Sequence, residues 1–196
     1  MNAILERPDF KLIAEWVRPG ERVLDLGCGD GALLKLLTGR GVRAWGVDID
    51  DANVLAAVAN GVNVIQSDLE QGLAGFEDGA FEHVILSQTL QAMRHTEDIV
   101  LEMLRVGREA VVSFPNFGYW RHRLDILNGH MPVSDRLPYQ WYDTPNIHLC
   151  TVADFDDFCA QRRIVVRERK VFDEGREITE EHNFLGSLAV YRIARG

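Results

Sequence analysis

Asp25, Asp48 and Asp68 each stand where an apolar run of strand length gives out, and the first is followed by glycines at 27, 29 and 31. Glycines let a backbone turn tightly and approach a ligand with no Cβ in the way, and a helix that follows them presents unpaired N–H groups. The stretch "DLGCGDG", Asp25 to Gly31, is therefore suited to cradling a polar small molecule. Asp48 lies 21 residues after Gly27, about where a carboxylate accepts both hydroxyls of a ribose. Asp68 closes the next apolar run in the same way. A plainer reading makes the glycines a tight turn and the acids helix caps or solvated loop residues. That reading has to explain why glycines and acids share the same strand ends.

The elements that would position these groups alternate. A short helical lead-in, "FKLIAEWV", runs into Pro19-Gly20 and then "RVLDLG", a buried strand entering a tight loop. "ALLKLLTGRG" has helical apolar spacing with a Gly39 stop, and "RAWGVDID" is a second strand with acids at its end. The pattern continues as helix "DANVLAAVANG", strands "NVIQSDL" and "FEHVILSQ", helix "TEDIVLEMLRVG" and strand "EAVVSFPN". Such alternation predicts an α/β fold with a mostly parallel sheet and helices on both faces. In the tail, "RIVVRERKVF" and "SLAVYRIAR" are strand-like runs separated by a polar stretch, which predicts an antiparallel C-terminal edge. With 196 residues, one domain over 1–196 is expected.

A net charge of −9 argues against nucleic acid, whose affinity comes largely from Lys and Arg displacing counterions. No apolar run approaches the roughly 20 residues that span a bilayer, and "MNAILERPDF" lacks the layout of a signal peptide, so no membrane association and a cytoplasmic location are expected. Cys28, Cys150 and Cys159 form no CxxC pair and suit neither a disulfide framework nor a structural zinc site.

Two cofactors compete for the glycine loop. Gly27, Gly29 and Ala32 also satisfy the dinucleotide spacing of an NAD site. The further glycine at 31, the acid at 25 and the antiparallel tail instead resemble the class I S-adenosylmethionine-dependent methyltransferases, a single-domain Rossmann-like fold. The resemblance implies S-adenosylmethionine or S-adenosylhomocysteine as the bound group. By the same resemblance Asp25, Gly27, Cys28, Gly29 and Gly31 lie beside the amino-acid end of that group, Asp48 with Ile49 takes the ribose, Asp68 with Leu69 borders the adenine, and Ser87 closes the site. Methyl transfer is an in-line displacement, so the protein has mainly to align a nucleophile and supply a base if that nucleophile is protonated. At the end of the fourth strand "ILSQTLQAM" offers Ser87, Gln88 and Gln91 but no carboxylate. His95 is the candidate catalytic base, although a histidine beside "RHTED" is more often a loop or helix-entry residue.

Seven of the seventeen aromatics fall between Phe114 and Tyr142, and four of the six prolines between Pro115 and Pro145. The segment of about 114–151 is too apolar for a solvated loop and too interrupted for one long helix, so it should pack as a cap over the crevice or against another protein. Trp120, Trp141 and Tyr142 are either cap core or exposed anchors. His122, His130 and His148 are spaced eight and eighteen residues apart, which fits no short ligand motif, so no metal is expected. Taken in order, "RVLDLGCGDGALLKLL", "GVDID", "FPNFGYWRHR" and "YQWYDTPNIHLCT" resemble the MetW family of methionine-biosynthesis proteins. That resemblance implies an accessory subunit of homoserine O-acyltransferase, supporting formation of O-succinyl- or O-acetylhomoserine. The alternative is a stand-alone S-adenosylmethionine-dependent methyltransferase of a small molecule.

Overall fold

Central strands of a parallel sheet are covered on both faces and therefore read as continuous apolar runs. β1 (Arg22–Leu26) and β4 (Phe81–Ser87) follow this rule, with Val23 to Leu26 and His83 to Leu86 all buried. The computed structural model describes residues 7–196, so the proposed absence of a signal peptide falls mostly outside the described residues. Its eight strands form one sheet in the order β3 (Asn63–Gln66), β2 (Arg43–Asp48), β1, β4, β5 (Gly107–Pro115), β8 (Leu188–Arg195), β6 (Ile164–Asp173) and β7 (Arg176–Ile178). β2, β3 and β5 pair in parallel with their neighbours up to β5. The crossovers carry α2 (Ala32–Thr38), α3 (Asp51–Ala59) and α4 (Thr96–Val106). The strand order reverses between β1 and β4, which opens a crevice at their carboxyl ends.

The tail pairs antiparallel as its sequence predicts, with one refinement. β8 inserts between β5 and β6, antiparallel to both. The outer edge is β7, a three-residue strand inside the stretch that reads as polar linker. Side chains alternate between two apolar layers, because successive residues of a strand face opposite sides. Leu24, Leu86, Val112, Phe114 and Tyr191 enter one layer with Met103 and Phe155. Val23, Ile85, Val111 and Val190 enter the other with Leu33, Leu37 and Ile13 of α1 (Pro8–Trp16).

Among the described residues three helices lie where the apolar pattern predicts none, the shortest being α7 (His182–Leu185). α5 (Trp120–Leu127) is short and buries only His122. α6 (Val152–Gln161) buries Val152, Phe155 and Cys159 on one face and opens on a reciprocal cap. Thr151 Oγ1 accepts from the Asp154 amide at 3.1 Å, and Asp154 Oδ2 accepts from the Thr151 amide at 3.2 Å. Such a box satisfies donors that the helix itself leaves unpaired. Thr151→Ala should lower unfolding free energy by about 1 kcal/mol in urea titration. A stability unchanged within error would assign the start of α6 to packing alone.

Candidate functional site

The β1 strand delivers Asp25 to the crevice almost fully buried, at 3% exposure, and its Oδ1 has no hydrogen-bond partner among the described residues. The chain then turns through Gly27, Gly29 and Gly31, all at positive φ. At Gly29 φ is +57°, and a Cβ there would meet nothing within 4 Å, so the loop's open side faces space a ligand can enter. Beneath the loop, Gly46 of β2 is required for a different reason: a Cβ would lie 2.5 Å from Cys28 Sγ. Cys28 is thus packed under the loop, and burial pushes its thiol up to about 12.

Asp48 ends β2 at 6% exposure and ties the loop to the next turn. Its Oδ2 accepts the Gly29 amide at 2.8 Å, and Oδ1 accepts the Asp50 amide at 3.0 Å and Asn53 Nδ2 at 3.2 Å. A carboxylate offers about four acceptor directions, so the protein occupies three and leaves room for one ribose hydroxyl where the sequence spacing suggests two. The cap of α3 is Asp50, which accepts from the Asn53 amide. Ile49 follows Asp48 at 61% exposure, an apolar side chain standing beside the acid. Asp68 caps the 3-10 turn Leu69–Gln71 through the Glu70 amide at 3.0 Å, and Leu69 is half-buried.

Across the crevice stands a cluster for which no motif prepares. Asp9, at 0% exposure in the first turn of α1, receives Arg7 Nη2 at 2.6 Å, Ser87 Oγ at 3.0 Å and Gln88 Nε2 at 3.2 Å. Burial alone would raise its pKa, but the hydrogen bond and charge of Arg7, with Gln88 and Ser87, hold it below the usual carboxylate range. Ser87 therefore lies at the crevice with its hydroxyl engaged by Asp9. Gln88 carries φ +53° at the end of β4, in the left-handed region that costs a non-glycine residue about 1–3 kcal/mol and concentrates at functional sites. Burial pushes Asp25 up to about 8, Arg7 opposes this, and the charges of Asp48 and Asp9 add to it.

His95 lies elsewhere. It precedes α4 with 64% of its side chain exposed, and Nδ1 is 2.8 Å from Glu70 Oε2. The depression it lines runs from Leu69 to Gly72 and along the first turns of α4, without any glycine-loop residue. The last part of the cap segment lies along the 3-10 turn after β4, where the Ile147 and His148 amides donate to Gln91 O at 2.8 and 3.0 Å. Trp141 and Tyr142 are 72% and 70% exposed, edge to face at 5.6 Å, while Trp120 is half-buried beside Tyr119. Among the described residues no three His, Cys, Asp or Glu side chains gather as metal ligands would, and no helix is long and apolar enough to cross a membrane.

The fold is that of the class I S-adenosylmethionine-dependent methyltransferases. An S-adenosylmethionine-dependent methyltransferase from Mesorhizobium loti superposes on 98% of this chain and 100% of its own, with TM-score 0.73 and 14% identity. Magnesium protoporphyrin IX methyltransferase from Synechocystis PCC 6803, crystallised with S-adenosylhomocysteine, covers 95% of this chain and 79% of its own, with TM-score 0.66 and 18% identity. Residues 7–193 match the family described as methionine biosynthesis protein MetW, and the chain belongs to that family. The bifunctional methionine biosynthesis protein MetXA/MetW of Rhodopirellula baltica is 37% identical over 188 residues, which is 89% of this chain and 30% of the relative. A ubiquinone/menaquinone biosynthesis C-methyltransferase of Ectopseudomonas mendocina is 33% identical over 127 residues, 56% of this chain and 48% of its own. The chain spans less than half the length of either relative.

Burial holds folded Asp25 at a pKa of about 8, above the ordinary carboxylate value of 3.8, so between the two the unfolded chain holds fewer protons. The stability attributable to Asp25 is complete below about pH 4 and is lost as pH rises toward about 8. Without cofactor, the stability difference between wild type and Asp25→Asn should shift against wild type from pH 5 to pH 8, as read by denaturant titration. A difference constant over that range would mean that Asp25 is already ionised.

Proposed function

We propose that this member of the MetW family binds S-adenosylmethionine or S-adenosylhomocysteine at its glycine loop and acts as partner subunit of a homoserine O-acyltransferase in methionine biosynthesis. The observation that carries the cofactor is Asp25 Oδ1, without a partner among the described residues, beneath an open loop. A buried acceptor without a donor costs roughly 1–3 kcal/mol, and the ammonium at the amino-acid end of this cofactor class supplies the missing donor with a charge. Asp25, Gly27, Cys28, Gly29 and Gly31 would then border that end. Asp48 and Ile49 would hold the ribose, and Asp68 and Leu69 would border the adenine. When bound, S-adenosylmethionine presents an electrophilic methyl group. This chain's residues orient the cofactor and exclude water, while Ser87, Gln88 and Asp9 close the far wall.

The partner reading rests on two supports. In the Rhodopirellula relative a MetW unit shares one chain with a unit named MetXA, which we read as the acyltransferase, and tethering of that kind keeps two units at high effective concentration. Trp141 and Tyr142 meanwhile present a paired aromatic surface of the type enriched in interface hot spots. A second reading, a stand-alone small-molecule methyltransferase, is favoured by the strained Gln88 at the end of β4. It places the methyl acceptor beside Ser87. His95 lines a separate depression that neither Ser87 nor the glycine loop enters, so it is not placed as the base.

The test is the homoserine acylation rate of the acyltransferase from the same organism, alone and with this protein added. A saturating rise is expected, and Trp141→Ala with Tyr142→Ala should weaken the association at least about tenfold without loss of fold. No rise with both proteins folded would overturn the partner reading. Formation of S-adenosylhomocysteine from S-adenosylmethionine in small-metabolite fractions would favour the second.

A further inference from the structure

A second cleft, of about 540 Å³, opens on the same edge of the sheet as the glycine loop. β6 runs parallel to β5 because β8 is antiparallel to both, so the ends of β5 and β6 and the start of β8 all reach that edge. Asp173 and Ser187 bring β6 and β8 to the cleft wall, and Tyr119 and Arg121 follow from β5. Arg7 lines it too, while its guanidinium holds Asp9 and Ser87 at the crevice. The cleft therefore lies beside the cofactor crevice, with Arg7 between them.

Its opposite lip is a turn fixed from below. The amide of Ser134 donates to Leu137 O, and that of Leu137 to Ser134 O, both at 3.0 Å. His122, at 1% exposure, has Nδ1 3.2 Å from the Asn116 carbonyl and Nε2 3.0 Å from Ser134 Oγ. A carbonyl can only accept, so Nδ1 carries the proton, and the neutral ring's Nε2 must accept from the Ser134 hydroxyl. Burial lowers the pKa of His122, and this keeps the ring neutral. The turn so anchored presents Arg136 between this cleft and a neighbouring one of about 560 Å³.

Arg136 is half-buried, and among the described residues it makes neither an ion pair nor a side-chain hydrogen bond. Asp135, Asp173 and Glu174 line the same cleft and Glu15 the neighbouring one, yet none is within ion-pair distance of Arg136. Asp173 accepts the Tyr119 hydroxyl at 3.0 Å, and Glu174 approaches Arg121 only at 3.5 Å, with both side chains more than half exposed. A guanidinium partly removed from water and without a counter-charge is unfavourable, and its planar fork matches a carboxylate in two parallel hydrogen bonds. Asp135 and Glu174 on the rim oppose a doubly charged phosphate more than a singly charged carboxylate.

We propose that this cleft is a binding site for a small carboxylate, whose carboxylate group is taken by Arg136 with Arg121. The site is independent of the cofactor and of any partner, so its failure would leave both of those readings standing. Titration calorimetry on the full chain with the common α-amino acids, succinate, acetate and inorganic phosphate tests it. At least one carboxylate should bind saturably, Arg136→Ala should weaken it at least about tenfold, and Glu174→Gln, which removes a competing carboxylate, should tighten it. Among the described residues Arg136 has no partner to orphan, so its replacement should fold, and Arg136→Lys should restore only part of the affinity. Absence of saturable carboxylate binding, equal binding by Arg136→Ala, or tighter binding of phosphate than of every carboxylate would each overturn the proposal.

Discussion

Near the end of β1 a carboxyl group is buried to 3% exposure with one oxygen unbonded among the described residues, and much of the surrounding structure can be understood through that group. Burial favours its neutral form, and the nearby charges of Asp48 and Asp9 favour it further. Arg7 stands against them, but its guanidinium is spent on Asp9 and Ser87. Asp25 is thus left as a proton-bearing group facing an open glycine loop. It suits a ligand that arrives with a positive charge and a hydrogen-bond donor together.

The remaining acids have been given structural work. Asp48 spends three acceptor directions on the loop and the β2–α3 turn, and Asp9 is held ionised by Arg7, Gln88 and Ser87. Two carboxylates in one crevice are thereby driven apart: Asp9 below the usual range by a close cation, Asp25 above it by burial. Opposed environments of this kind give neighbouring groups different protonation states at one pH. The strain at Gln88 belongs to the same arrangement, since its amide nitrogen and side chain bind Ser113 and Asp9 respectively.

What could be read from the residues follows the range of the interactions. Strands β1, β4 and β5, the glycine loop and the acid ending β2 are local patterns, and each stands where its spacing places it. The antiparallel tail was legible from two apolar runs, but the insertion of β8 between β5 and β6 depends on pairing across the chain. α6 did carry a local signal, Thr151 three residues before Asp154, although it lies at the end of a segment dominated by aromatics. Asn116 shows the other extreme. Its buried amide donates to the carbonyls of Asn183 and Gly186 and accepts from the amides of Gly118 and Val152, joining three parts of the chain that nothing in "FPNFG" announces. The Arg7–Asp9 cluster was hidden for the same reason, because its partners lie about eighty residues away.

The most direct test of the account asks what happens to the proton on Asp25 when the cofactor arrives. S-adenosylhomocysteine titrated calorimetrically at pH 7 into the intact protein, in two buffers of different ionisation enthalpy, measures it. The account predicts saturable binding with close to one proton released per molecule bound, as the ligand ammonium converts a neutral carboxyl into a paired carboxylate. Binding without proton release would contradict it, because Asp25 would then be either already ionised or not the group that meets the ligand.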